Sequence, residues 1–429
     1  MTPAARIQAA IELLDEVLAT DRPADGVLSA YFRARRFIGA KDRRSVSEQV
    51  WRVLRYRARL TWALNTDAPT PRLLVAANLV RGESKSMDAI GGLFVGAKNG
   101  PPPLSVNEKR MVERAKTQNT ADAPRPIKFE CPEWLLDKID AVFGDDADKE
   151  ISALGQEAAL DLRVNTLKAT RDEVLSSLKS EGLDASPTPL SPLGVRLPAR
   201  IALGAHEGFR NGLFEVQDEA SQVCARLVHA QPGETVIDLC AGAGGKTLAI
   251  AASMKNKGRL VACDISVGRR ERSKLRLRRA GVHNATLRII EEPDKWLKRQ
   301  AGTFHHVLVD APCSGTGAWR RNPDARWHLS PENLENLTAT QDGLLDRAAQ
   351  LVKPGGQLIY ATCSLLSEEN AARIDAFLAR NDKFSIRPVR DVWATAFETP
   401  CPTEEPFLSL TPARHGTDGF FVAILSRVP

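Results

Sequence analysis

From about residue 215 the sequence alternates short apolar runs with longer helical stretches, and several of the runs end in an acid. Thr235–Leu239 carries Asp238, Arg259–Cys263 is followed by Asp264, and His306–Val309 by Asp310. Ala285–Ile290, Gln357–Tyr360 and Phe420–Leu425 complete the set, the fifth run being introduced by a Pro354–Gly356 turn. Helical patterns at Lys246–Ala252, Val267–Ala280, Pro331–Leu351 and Ser367–Arg380 separate them. Parallel strands need such crossovers, so the alternation predicts a mainly parallel sheet with helices on both faces. Ligands of such sheets sit beyond the carboxyl ends of the strands, so the chemistry is sought just past each run.

The rest of the chain reads differently. Residues 1–125 are helical: Ala5, Ile7, Ile11, Leu14 and Leu18 recur at helical spacing, and Leu28–Phe37, Val46–Leu64, Pro71–Val80 and Val106–Lys116 continue the pattern. The polar, proline-bearing stretch Thr117–Pro126 reads as a linker. Residues 126–212 read as a small α+β module, with strands at Ala159–Val164 and Val195–Leu197 and a helix at Arg171–Gly182 between them. Residues 213–429 form the α/β region. The expected fold is therefore multidomain: all-α, then α+β, then Rossmann-like α/β.

Charge separates these regions. The chain carries 59 Lys and Arg against 53 Asp and Glu, a net +6, and residues 1–60 alone hold twelve against seven. Arg35, Arg36, Lys41, Arg43 and Arg44 lie in this cluster, with Tyr31, Phe32, Phe37, Trp51 and Tyr56 interleaved. Such a cluster suits phosphate contact, which supplies affinity rather than base choice. A solvated helical face is the bland alternative. The helix Arg269–Arg279, with seven cations, divides between the same two readings. Arg320 and Arg321 are better placed for local phosphate contact.

The seven cysteines form no C-x-x-C pair, which argues against structural zinc, and no apolar run reaches the ~18 residues of a spanning helix. The N-terminus lacks the look of a secretory leader. We expect reduced thiols, a cytoplasmic protein, no metal, no membrane partner and a monomer.

Three segments past the strand ends carry chemistry. The turn Asp238–Thr247 is glycine-rich and leads into a helix N-terminus, where free amides face a ligand. It is not a triphosphate loop, because that motif needs glycine where Cys240 stands. With Asp264 to accept from ribose hydroxyls, the turn fits a dinucleotide or S-adenosylmethionine. The second segment is Asp310-Ala311-Pro312-Cys313-Ser314-Gly315-Thr316-Gly317, and the third is Tyr360-Ala361-Thr362-Cys363-Ser364. Two thiols at strand ends beside a cofactor pocket are hard to explain as packing, whereas Cys131, Cys224, Cys263 and Cys401 read as small buried hydrophobes. A thiolate adding to carbon 6 of a pyrimidine creates an enamine whose carbon 5 attacks an activated methyl group.

At these residues the sequence resembles the Sun-type family of RNA cytosine-5 methyltransferases. The resemblance extends through Arg320-Arg321-Asn322-Pro323-Asp324, Glu368-Glu369-Asn370 and His415–Phe421. Phe37–Arg44 is similar, more weakly, to the NusB-like RNA-binding domain fused to bacterial members that act on small-subunit ribosomal RNA. The resemblance implies S-adenosylmethionine as cofactor, cradled by Cys240, Ala241, Gly242, Ala243, Gly244, Gly245 and Lys246, with Asp264 on its ribose. It implies Cys363 as the nucleophile, Cys313 as the group assisting release, and Asp310 on the cytosine and bordering the cofactor. The family commonly has proline where Ala243 stands. It also has aspartate where this chain has Glu291 or Glu292, of which Glu291 is taken for the adenine contact. Ribosomal RNA is the expected partner and transfer RNA the alternative. A non-catalytic RNA-binding or assembly factor that retains the fold, or a small-molecule methyltransferase, are the competing readings.

Overall fold

The structure, a computed structural model, describes residues 1–96, 98–198, 201, 203–291 and 294–429. By compactness they form two units: Met1–Gln156 with Trp319–Leu329, and Glu157–Ala318 with Ser330–Pro429. Among the described residues no helix is long and apolar enough to cross a membrane.

The first unit is helical. Helices Pro3–Leu18, Ala24–Ala34, Ala40–Arg55, Arg57–Leu64, Pro71–Arg81 and Val106–Thr117 close on a core that includes Leu13, Leu14, Val50, Val53, Leu74, Leu79 and Val112. Thr2, Thr70 and Ser105 cap helix starts with their hydroxyls, and Ser105 with Glu108 forms a capping box. The predicted linker does not end the unit. Helices Arg125–Lys128, Glu133–Phe143 and Ala147–Leu154 follow it, and the unit runs to Gln156 rather than to 125. Buried Leu135, Leu136, Ile139, Ile151 and Leu154 give these helices an apolar face, which a linker would not have. The segment Trp319–Leu329, expected within 213–429, also belongs here. Trp319 and Arg326 are fully buried, and Asp324 Oδ2 accepts from Ala24 N at 2.9 Å.

The predicted helix Val46–Leu64 breaks at Tyr56. The next helix starts there because buried Glu130 accepts from Ala58 N at 2.7 Å and Arg59 N at 2.9 Å. Burial pushes the Glu130 carboxyl up to about 7, against those amide bonds and the nearby Arg326 and Arg59. Its folded value lies above its unfolded one, so the proton favours the folded state. The stability Glu130 contributes is complete at low pH and is lost as pH rises from about 5 to about 8. Glu130→Gln should flatten the pH dependence of the melting temperature over this range; an unchanged slope would exclude the assignment.

The second unit holds two sheets. β1 (Leu160–Val164), β2 (Ser186–Pro187), β3 (Gly194–Leu197) and β4 (Phe214–Val216) form an antiparallel sheet in the order β2-β3-β1-β4. The helix Arg171–Ser180, opened by a Thr170–Glu173 capping box, contributes Val174, Leu175 and Leu178 to its core. The larger sheet contains β5 (Thr235–Asp238), β6 (Arg259–Asp264), β7 (Ala285–Ile289), β8 (Phe304–Asp310), β9 (Val352–Thr362), β10 (Phe384–Arg387), β11 (Leu408–Leu410) and β12 (Phe420–Arg427). Its order is β10-β12-β9-β8-β5-β6-β7, with β11 paired to β12. β5 to β9 run parallel, and β12 is antiparallel to β9 and β10. Phe304 pairs with Val352 and His306 with Gln357, so the predicted Pro354–Gly356 turn lies inside β9, where its register with β8 shifts. The chain leaves β5 toward β6 on one side and returns through β8 on the other. That reversal opens a crevice at their carboxyl ends.

Candidate active site

The turn after β5 is shaped by three anchors. Asp238 is fully buried, and its Oδ2 accepts from Thr247 Oγ1 at 2.8 Å. Burial raises its carboxyl to about 7, opposed by that hydroxyl. Ala241 N donates to Cys263 O at 2.8 Å, tying the turn to β6. Asp264 accepts from Gly242 N at 2.9 Å and from Ser266 N at 2.7 Å. Gly244 has φ +83°, and a Cβ there would lie 2.3 Å from Ser273 Oγ. Gly242, at φ +57°, would meet nothing, so the turn is closed behind and open in front. An open backbone face, a helix start at Gly245 and an acid at the end of β6 are what S-adenosylmethionine requires of its binder, and these residues fit it.

Lys246 crosses from this turn to β8. Its Nζ lies 2.7 Å from Asp310 Oδ2 and 4.8 Å from the centre of the Phe420 ring. Burial works against its charge, but Asp310 more than compensates and holds the ammonium above the usual lysine range. Lys246 therefore fixes one oxygen of Asp310 beside the turn.

The two predicted thiols meet. Asp310 pairs with Ala361 in the β8–β9 register, so the chain segments past both strands emerge side by side. Cys313 Sγ and Cys363 Sγ lie 3.4 Å apart, both half-buried and unbridged. The hydrogen bond to Cys363, with burial and the other sulfur's charge, drives the Cys313 thiol well above its ordinary range. Cys313 thus keeps its proton. Gly317 N donates to Cys363 O at 3.0 Å, and Gly419 N donates to Gly317 O at 2.9 Å, lacing three loops together. Cys131, Cys224 and Cys263 are buried, and Cys401 and Cys240 pack partly buried against the two faces of the sheet core.

The small sheet buttresses the turn from behind. Arg163 of β1 is buried, and its Nη1 donates to Gly245 O at 2.6 Å and to Gln217 Oε1. Burial lowers its guanidinium to about 10. Arg276 Nη1 donates to Ala243 O at 2.9 Å, and Arg276 and Arg279 both pair with buried Glu215 of β4. The basic helix Val267–Ala280 is thus partly a docking face for the small sheet rather than only a solvated or RNA-guiding one. Arg272, Lys274 and Arg278 remain exposed. Arg163→Met should weaken S-adenosylmethionine binding by about tenfold, because Gly245 O loses a charged donor. Calorimetry showing unchanged affinity would rule this out.

The other expected residues have surroundings of their own. Glu291 is exposed just past β7, and Glu292 lies outside the described residues. Arg35 pairs with Glu16 at 3.4 Å and stacks over Tyr31. Arg44 pairs with Glu48, Arg43 Nε donates to Ile38 O, and Arg36 and Lys41 are exposed. Ser29, Phe32, Arg33, Arg36 and Arg43 line an open hollow of about 460 Å³. Arg320 and Arg321 lie in the first unit, with Arg320 O accepting from Arg55 Nη2 at 2.9 Å. Among the described residues no cluster of His, Cys, Asp and Glu could hold a metal. Glu369, part of the resemblance but given no role by the sequence, is fully buried and accepts from Ser314 N of the Cys313 loop.

Comparison with known proteins gives the family. The family described as "16S rRNA methyltransferase RsmB/F" matches residues 225–426, and the ferredoxin-like domain of RsmF/B-like methyltransferases matches residues 131–203. The ribosomal RNA small subunit methyltransferase B of Photorhabdus laumondii is 36% identical over 299 residues, covering 69% of this chain and 66% of that protein. The protein of the same name from Salmonella arizonae is 36% identical over 310 residues, covering 72% and 68%. The crystal structure of PH0851 superposes with a TM-score of 0.82 at 25% identity, over 100% of this chain and 99% of that one.

Proposed function

This chain belongs to the RsmB/F family of 16S rRNA methyltransferases, and from that premise we propose that it methylates carbon 5 of a cytosine in small-subunit ribosomal RNA through a covalent bond to Cys363. The observation that carries this reading is the 3.4 Å approach of two unbridged thiols beside the glycine-rich turn. S-adenosylmethionine, when bound, supplies the electrophilic methyl carbon. Cys240 to Lys246 would cradle it, Asp264 would take its ribose, and Glu291, just past β7, would take its adenine.

Cys363 adds to carbon 6 of the cytosine, which makes carbon 5 nucleophilic. Cys313 assists release: having passed its own proton to the ring during the addition, its sulfur takes the carbon 5 proton as the Cys363–carbon 6 bond breaks and Cys363 leaves as thiolate. Asp310, one oxygen held by Lys246, binds the base edge.

The stretch 1–125 acts as a NusB-like RNA-binding domain, 126–212 as a small RNA-binding module and 213–429 as the catalytic domain, whatever the packing of their edges. Arg35, Arg36, Lys41, Arg43, Arg44, Arg320 and Arg321 are the proposed phosphate contacts. The protein works in a reducing cytoplasm, since a bridge between the two thiols would remove the nucleophile. The test is incubation with unmodified small-subunit RNA, transfer RNA and labelled cofactor. 5-Methylcytidine in ribosomal RNA supports the proposal, label in transfer RNA alone redirects the substrate, and no label favours an assembly factor.

A further inference from the structure

Glu369 ends the short turn Ser367–Glu369 that follows β9, and its exposure is 0%. A carboxylate taken wholly out of water persists only with strong partners. Here every side-chain partner belongs to the Cys313 loop or holds it. Oε1 accepts from Ser314 N at 2.8 Å and from Gln341 Nε2 at 3.0 Å, and Oε2 accepts from Ser314 Oγ. Gln341 Nε2 also donates to Pro312 O at 3.0 Å. Both neighbours of Cys313 are thereby tied to one buried carboxylate.

The same turn holds the other thiol. Glu369 O accepts from Tyr360 Oη at 2.7 Å. The next residue, Asn370, accepts from Thr362 Oγ1 at 2.6 Å and donates to Ser364 O at 3.0 Å, gripping both neighbours of Cys363. No Lys or Arg pairs with Glu369 among the described residues. Its charge is therefore felt at Cys313, where it adds to the forces that keep the thiol protonated.

We propose that Glu369 is a positioning residue for the two-thiol reaction, setting Cys313 against Cys363 so that the covalent RNA adduct is released. This rests on the cysteine roles assigned above. The design that separates the two uses Glu369→Gln, Cys313→Ala and the wild type on the same ribosomal RNA. Glu369→Gln keeps the size but presents an amide donor to donors.

Turnover should fall about tenfold, cofactor affinity should stay within about twofold, and an adduct stable to denaturing electrophoresis should build up as in Cys313→Ala. A residue that merely held the fold would lower cofactor affinity and adduct together. Wild-type turnover and no adduct in Glu369→Gln, beside an adduct in Cys313→Ala, overturns the proposal. Absence of adduct in Cys313→Ala overturns the two-thiol reading and the proposal with it. Ser314→Ala removes one donor and should slow release in the same direction by about threefold. If Glu369→Gln does not fold, unchanged release in Ser314→Ala overturns the proposal.

Discussion

Cys363→Ala should abolish methylation and leave no adduct, whereas Cys313→Ala should bind RNA covalently and fail to let go. The two sulfurs are 3.4 Å apart and similarly half-buried, so a general effect of losing a thiol predicts the same phenotype for both. Their surroundings predict different ones. Cys313 is flanked by groups that hold its proton: the other sulfur, burial and Glu369. A thiol that holds its proton is a poor nucleophile, which leaves attack on carbon 6 to Cys363. Loss of the nucleophile should cost about ten-thousand-fold or more in kcat/KM. Denaturing electrophoresis with labelled RNA reads the adduct, and 5-methylcytidine analysis reads the product. Activity retained in Cys363→Ala, or an adduct in that variant, would reverse the assignment.

What is legible in the sequence is what local pattern controls. Strand ends at Asp264 and Asp310, the helices Val267–Ala280 and Pro331–Leu351, and the meeting of Cys313 with Cys363 follow from apolar runs, acids and crossover lengths. Parallel neighbours β8 and β9 bring residues past their ends together, whatever the loops contain. What is not legible depends on contacts distant in the chain. The break at Tyr56 needs Glu130 as a cap, and nothing near Tyr56 announces it. The inclusion of Trp319–Leu329 in the helical unit rests on Arg326 Nη1 donating to Glu130 O at 2.9 Å, a buried polar contact without periodicity. The basic helix looks free in sequence because Glu215, which pairs with two of its arginines, lies on another sheet. Short β4, β10 and β11 are too brief to declare themselves, and their pairing depends on longer neighbours.

Gly317→Ala should be the most damaging single methyl group that can be added to this site. Gly315 is a loop-maker: its φ is +67° and a Cβ there meets nothing. Alanine at 315 should therefore cost only the left-handed backbone penalty of about 1–2 kcal/mol. Gly317 differs. A Cβ there would lie 2.3 Å from Gly419 O and 2.6 Å from its Cα, which are backbone atoms and cannot swing aside. Gly419 is held close by its own N–H, which is bonded to Gly317 O. The methyl group must push the Cys313 loop off the β12 lead-in, breaking the Gly317 N bond to Cys363 O as well. Overpacking of this kind costs about 1–3 kcal/mol of stability. The loss of turnover should be larger, about a hundredfold, because a displacement of about 1 Å is enough to take reacting groups out of line. Cofactor affinity should change little, since the turn after β5 hangs on Asp238 and Asp264 instead. Melting temperature, turnover and calorimetry on the two alanine variants together decide the matter. If Gly317→Ala is no worse than Gly315→Ala, the glycine contact does not hold the thiols in register.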